Sequence, residues 1–161
     1  MAILVYELVG AERNTRFSPH CWKALWALAH KGLDFTPVPT RFSGVASVEG
    51  ENRTVPVIRD GERVVRDSFD IAVYLDAAYP DRPTLFGGEG GIKLARFVER
   101  WTMLTLHAYL GAALLMDIHD RLAAEDQLYF RRSREARFGR PLEAMPAGRE
   151  AGLPAFRAAL A

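Results

Sequence analysis

Cysteine is almost absent from this chain: Cys21 is the single one in 161 residues, which excludes an intramolecular disulfide, a cysteine-built zinc site and dithiol exchange. A reducing compartment, the cytoplasm, is the expected location. No charge of one sign predominates either. With 21 basic and 20 acidic residues the net charge is +1, so no broad basic surface points to nucleic acid or to an anionic membrane. Arg131, Arg132, Arg134, Arg137 and Arg140 form the one basic cluster, and with Glu125, Asp126 and Glu135 among or near them it reads as a solvated helix face. Long hydrophobic runs are missing as well. The most apolar stretch, Met103 to Met116, carries His107 and is bounded by Arg100 and Asp117, well short of the roughly 20 residues that span a bilayer. It reads as a core helix. The first eight residues, Met1 to Leu8, carry no basic leader and no cleavage-like segment, so they read as a buried strand and no export signal is visible.

What the chain does have is 49% apolar residues, enough for a genuine core in one medium domain or two small ones. Residues 3–8 predict a strand and 9–17 a polar loop. Residues 19–31 predict a helix with Trp22, Leu25, Trp26, Leu28 and Ala29 at helical spacing, ended by Gly32, with both tryptophans expected in the core. Asp34 to Val38 returns as a strand, and the spacing of Pro37 and Pro39 suits a sheet edge. After a flexible stretch from Thr40 to Asn52 come strand Val55–Ile58, a turn at Asp60-Gly61, strand Arg63–Val65, and a helix from Ser68 to Ala78 stopped by Pro80. The order is βαβ followed by ββα. Residues 83–91, rich in glycine and proline, read as a linker between domains at 1–82 and 92–161. Beyond it Leu94, Phe97, Val98, Trp101, Leu104, Thr105 and Ala108 recur at three- and four-residue steps, which predicts a long helix. A second helical tract near 125–138 and one short final helix complete an all-α half.

Two short segments carry chemistry. In the first, Ser18 precedes Pro19, and proline at the first helical position wastes no hydrogen bond, so Ser18 is the expected cap. A hydroxyl at a helix N-terminus can stabilise a thiolate. A free thiol has a pKa of about 8.5, and each unit of lowering needs about 1.4 kcal/mol of selective stabilisation. The plain alternative is a structural cap. Cys21, in the same first turn, competes as a reactive group, although a lone cysteine inside a helix is more often packing. In the second segment Pro56 opens a strand between Val55 and Val57 and can donate no hydrogen bond there. Asp67-Ser68 then precedes an apolar helical pattern, so Ser68 can cap that helix and its free N–H groups can receive a carboxylate. Asp67 is placed to pair with an amino group. An ordinary strand, hairpin and capped helix would account for the same letters.

Taken together, Ser18-Pro19-x-x-Trp22-Lys23, Ala29-His30-Lys31-Gly32, Val55-Pro56-Val57-Ile58, Asp67-Ser68, Tyr74-Leu75-Asp76 and Tyr79-Pro80-Asp81-Arg82-Pro83 resemble the glutathione S-transferase superfamily over essentially the whole chain. Asp117-x-His119-Asp120 and Ser133-Arg134-Glu135 continue the likeness, which is greatest to the bacterial β-etherases that cleave lignin-derived aryl ethers. The resemblance implies an α/β thioredoxin-like N-terminal domain, βαβββα with a short second-helix region, followed by a truncated all-α domain. It implies Ser18 as the thiol-activating residue, a cis bond at Pro56 with Val55 as a backbone clamp, and Asp67 and Ser68 as γ-glutamyl contacts. Arg41 and Arg53 are candidates for the glycyl carboxylate. An acceptor pocket between the domains would draw on Trp101, Thr105, His107 and Tyr109, of which two or three share a helical face. Glutathione is the implied cosubstrate and a small hydrophobic or aromatic electrophile the implied partner, with no metal: Asp117, His119 and Asp120 are too close in sequence to face one site.

Relatives of this kind continue through further C-terminal helices. Without them apolar helix faces are expected to stand exposed, inviting a homodimer, partial disorder or dependence on a further segment. Three readings follow: a glutathione transferase, including the β-etherase type; a glutathione-dependent isomerase; and a noncatalytic binding or interaction module.

Overall fold

A computed structural model describes residues 2–50 and 52–161; Met1, the first residue of the expected strand, lies outside them. By internal contacts the chain divides into two compact units, residues 1–93 and 94–161.

The first unit is built on a four-stranded sheet. Strands β1 (Ile3–Leu8), β2 (Phe35–Thr40), β3 (Val57–Asp60) and β4 (Arg63–Arg66) lie in the order β2-β1-β3-β4. β1 runs parallel to β2 and antiparallel to β3, and β3 is antiparallel to β4. β2 holds the edge because Pro37 and Pro39, two residues apart, both lack the N–H that a further strand would need. Helices α1 (Pro19–His30) and α2 (Ser68–Ala78) pack together against β1 and β3. Ile3, Val5, Ala24, Leu25, Leu28, Ile58, Ile71 and Leu75 form the core between them. Each large aliphatic side chain so enclosed contributes about 1.5–3 kcal/mol.

Trp22 and Trp26 are not in that core. The positions α1 buries are Cys21, Ala24, Leu25, Ala27 and Leu28, and residues 22 and 26, four apart, share the opposite stripe. Trp26 is 70% exposed, and the two indoles meet edge to face at 6.2 Å. The stretch after β2 is also more ordered than expected. Residues Phe42–Ser47 form a 3₁₀ segment, followed by Glu49, whose carboxylate accepts from the Tyr6 hydroxyl and from Arg59 Nη1 (3.3 Å). Arg66 donates to the Glu49 carbonyl (2.9 Å) and to Asn52 Oδ1 (2.6 Å).

Residues 83–86 are tied to both helices. Lys31, 1% exposed, donates to Asp76 Oδ1 (2.8 Å) and to the Pro83 carbonyl (3.1 Å). Asp76 in turn accepts from Thr84 Oγ1 (2.9 Å) and from the N–H groups of Leu85 (2.8 Å) and Phe86 (3.2 Å). Burial works against that carboxylate, but the hydrogen bonds from Lys31, Leu85, Thr84 and Phe86 outweigh it and hold its pKa below the ordinary value.

In the second unit α3 (Glu89–Ala113), whose first turn precedes the division, leads into α4 (Leu115–His119), α5 (Ala124–Phe138) and α6 (Arg149–Ala158). Ala113, Leu115, Leu122, Phe130, Leu142 and Met145 are its buried apolar residues. Gly139 closes α5 in the left-handed conformation at φ 66°, the geometry glycine adopts without penalty. α6 is joined to α3 by stacking of Phe156 on Tyr109 (4.5 Å) and by Arg149, which bonds the Ala113 carbonyl and Asp117. Contrary to the expectation of a core helix, α3 buries only Ala113. Leu94, Phe97, Val98, Trp101 and Leu104 are exposed along it.

Candidate thiol-binding site

The strand register brings the two sequence segments to one end of the sheet. Tyr6 pairs with Val57, and Val57 with Arg66, so the chain just before β3, Val55-Pro56, lies between the end of β1 and the Asp67-Ser68 pair that follows β4. The Val55–Pro56 peptide bond is cis. Among the described residues none is hydrogen-bonded to the Val55 backbone, which leaves its N–H and C=O available to an extended ligand.

Asp67, not Ser68, caps α2. Its Oδ1 accepts from the N–H groups of Phe69 (2.8 Å) and Asp70 (3.3 Å), and its backbone sits at φ 66°, ψ 133°, a region costing about 1–3 kcal/mol for a residue with a Cβ. Both residues are of the capping type, and this turn decides between them: it puts Ser68 inside the first helical turn. There Ser68 is buried, and its Oγ has no hydrogen-bond partner among the described residues. A buried hydroxyl at a helix N-terminus can donate to an acceptor.

Ser18 caps α1 as expected. Its Oγ accepts from the Cys21 N–H at 3.3 Å, and one O–H remains to be donated. Cys21 is buried, and its sulfur accepts from the Leu8 N–H at 3.3 Å. Burial pushes the Cys21 thiol up; Ser18 and the Leu8 N–H pull the other way, and the Glu7 carboxylate adds to the rise. Burial thus favours the neutral thiol, which packs against the end of β1.

Sequence reasoning passed over Glu7 and Arg16. Glu7 is fully buried on the inward face of β1, 2.9 Å from Arg16 Nε, and burial raises its pKa while Arg16 opposes the rise. The signal was present, since Glu7 follows Ile3 and Val5 in the inward alternation of an apolar strand. Tyr6, on the other face, lines a cavity of about 740 Å³ with Val9, Arg13, Thr40, Arg41 and Ser47. Arg41 reaches it from the start of the 3₁₀ segment and donates to the Ala11 carbonyl at 3.1 Å; Arg53 is exposed and does not line it.

The remaining candidates lie on α3. Trp101 is exposed, Thr105 and His107 are half-buried, and Tyr109 is engaged by α6: its hydroxyl donates to the Arg149 carbonyl at 2.7 Å. His119 Nδ1 lies 3.0 Å from its neighbour Asp120, while Asp117 bonds Arg149. No cluster of metal-binding side chains occurs among the described residues.

A thioredoxin-like sheet with a bare backbone beside a cis proline and two helix N-termini at one end, followed by an all-helical half, defines a glutathione transferase fold. Residues 14–83 match the family described as glutathione S-transferase, N-terminal domain, and residues 94–161 the corresponding C-terminal domain. The chain belongs to the glutathione S-transferase family. It is similar to glutathione S-transferase Z2 of Arabidopsis thaliana, 28% identical over 107 residues that make up 63% of this chain and 48% of that one. It is also similar to the crystal structure of a Ceriporiopsis subvermispora glutathione S-transferase in complex with glutathione (26% identity, TM-score 0.88, 99% of this chain and 71% of that one). Glutathione transferase GSTFuA2 of Phanerochaete chrysosporium is 30% identical, with a TM-score of 0.82 over 98% of this chain and 72% of that one. The chain spans less than half the length of the curated relatives it matches.

Proposed function

We propose that the chain binds glutathione at the end of the sheet where Ser18, Val55 and Ser68 meet, and that the bound thiolate attacks a small hydrophobic or aromatic electrophile. The observation that carries this reading is the buried, unpartnered Ser68 hydroxyl in the first turn of α2. A γ-glutamyl carboxylate satisfies it at the positive end of the α2 dipole, the Phe69, Asp70 and Ile71 N–H groups being already held by Asp67. The α-amino group then meets Asp67, whose Oδ2 is left over by the cap, and the cysteinyl amide pairs with the Val55 backbone. Arg41 and Arg53, both exposed, are the candidates for the glycyl carboxylate; the cavity that Arg41 lines includes none of Ser18, Val55, Asp67 or Ser68. Ser18 donates its O–H to the thiolate, and the N-terminus of α1 adds to that stabilisation.

In the finer reading the acceptor is a β-aryl ether. The thiolate forms a C–S bond at the carbon beside a ketone, the C–O bond breaks, and the departing aryloxide takes up a proton. Similarity to relatives named glutathione S-transferases supports the transferase class. Trp101 and Thr105, four residues apart on α3, are the pair we assign to the acceptor wall. A homodimer and a cytoplasmic location belong to the same proposal.

Titration calorimetry with reduced glutathione tests it. Binding in the micromolar to millimolar range is expected. Ser68→Ala and Asp67→Asn should each weaken it about tenfold or more, the loss of one charge-assisted hydrogen bond. Ser18→Ala should leave affinity nearly unchanged and lower turnover. A folded protein that binds no glutathione refutes the proposal.

A further inference from the structure

Ser18 is gripped from both sides by consecutive residues of one strand. Glu7 of β1 holds Arg16, two residues before Ser18, at 2.9 Å. The next residue, Leu8, donates its N–H to Cys21 Sγ, three residues after Ser18, at 3.3 Å, and the Cys21 N–H closes the circuit on Ser18 Oγ. The loop between β1 and α1 is otherwise held by short-range backbone bonds (Thr15 N–H to the Glu12 carbonyl, 3.0 Å; Arg16 N–H to the Asn14 carbonyl, 3.1 Å) and by Arg41 on the Ala11 carbonyl (3.1 Å). Gly10 and Thr15 share a hydrogen bond (2.9 Å) and Phe17 stacks on Phe42 at 6.2 Å. Arg16 is also seated on α1: its guanidinium lies 6.0 Å from the Trp22 ring, whose Nε1 donates to the Arg16 carbonyl at 3.3 Å.

The ion pair itself is a poor source of stability. Neither Glu7 oxygen nor Arg16 Nε makes a well-directed hydrogen bond, and because Glu7 is buried while the Arg16 side chain stays 33% exposed, the desolvation cost of the carboxylate is incompletely offset by its partner. A pair that adds little stability yet spans the loop to the residue two before the thiol-contacting serine has positioning as its role. We propose that Glu7 and Arg16 are positioning residues that fix the Ser18 hydroxyl at the N-terminus of α1. This rests on the glutathione reading above and goes beyond it by naming what aims the hydroxyl.

The test uses Glu7→Leu/Arg16→Met together, with Arg16→Lys as a milder variant that keeps the charge. Thermal melting reports folding, and the double variant should melt no lower than the wild type. Amide hydrogen exchange at Cys21, whose N–H is bonded to Ser18 Oγ, should accelerate about tenfold or more. The thiol pKa of bound glutathione, followed by thiolate absorbance, should rise by about one unit, a tenfold loss of thiolate at neutral pH. Affinity for S-methylglutathione, which has no thiol to stabilise, should change by less than about threefold, and Arg16→Lys should fall between. Unchanged Cys21 exchange, or an unchanged thiol pKa in a folded double variant, overturns the proposal. If the wild type fails to bind S-methylglutathione, the glutathione reading falls, and the exchange rate at Cys21 still decides whether the pair positions Ser18. A double variant that fails to fold, with Arg16→Lys exchanging as the wild type does, makes the pair a structural one and overturns the proposal as well.

Discussion

Asp67 combines two demands that pull against each other. As a cap it receives two N–H groups at the start of α2, yet its backbone is held at φ 66°, where a Cβ is unwelcome. Asp67→Gly relieves the backbone and, since glycine is a tolerable cap, forfeits only a few tenths of a kcal/mol from the lost side chain. That variant is expected to be as stable as the wild type or more stable by about 1 kcal/mol in urea unfolding, while losing glutathione affinity. Asp67→Ala keeps the strain, loses the cap and should be less stable by about 1 kcal/mol. Cys21 gives a second test at this scale. Its buried, upward-shifted thiol should react with iodoacetamide far more slowly than a free thiol at neutral pH, and reach the free rate only once the chain unfolds. Rapid native alkylation would return Cys21 to consideration as a nucleophile.

Among the elements, the latch formed by Lys31, Asp76 and residues 83–86 makes a directional forecast. Asp76→Ala leaves the Lys31 ammonium buried with one carbonyl partner, and breaking a buried pair in this way costs about 3–5 kcal/mol. Lys31→Met should cost less, because Asp76 keeps its hydrogen bonds from Thr84, Leu85 and Phe86. The Asp76 pKa is lower folded than unfolded, so its stabilisation is complete above its ordinary value of 3.8 and is lost as pH falls through the folded value. Melting temperatures taken from pH 5 to pH 2 should fall more steeply in the wild type than in Asp76→Asn. These elements were largely legible beforehand. Alternation in residues 3–8, the prolines of β2, the hairpin at Asp60-Gly61 and the Ser-Pro start of α1 all fix local geometry through few-residue physics. The misplaced parts depend on something else. α1 is apolar on most of its circumference, so spacing alone could not say that 21, 24, 25 and 28 face the sheet and that 22 and 26 do not. The shift of the α2 cap from Ser68 to Asp67 turns on a positive φ that no propensity signals, and the Lys31–Asp76 pair joins residues 45 positions apart.

At the level of the molecule, the stripe on α3 is unusual for how much apolar surface it leaves to solvent, with Phe97 at 68% and Leu104 at 79% exposure. Residues so exposed add little to internal packing. Phe97→Ser and Leu104→Ser should therefore change stability by less than about 0.5 kcal/mol while raising the concentration at which the protein remains in solution. A large fall in melting temperature would show the stripe to be covered. Ser18, Val55, Pro56, Asp67 and Ser68, whose binding of glutathione is the proposal made above, were legible as a set of candidates because they fall in two short motifs. The acceptor candidates were not, because helical spacing names a face without naming what it meets. Tyr109, engaged by Arg149 and Phe156, illustrates the difference.

The tether at residues 83–86 also governs how this chain can be cut. A piece ending at Arg82 would keep every strand and both helices of the first unit, but it would discard three of the groups that satisfy Asp76 and one that satisfies Lys31. Extending the piece to Phe86 restores them all, so the smallest excisable form of the first unit ends with the last residue of that tether rather than at the end of its last helix.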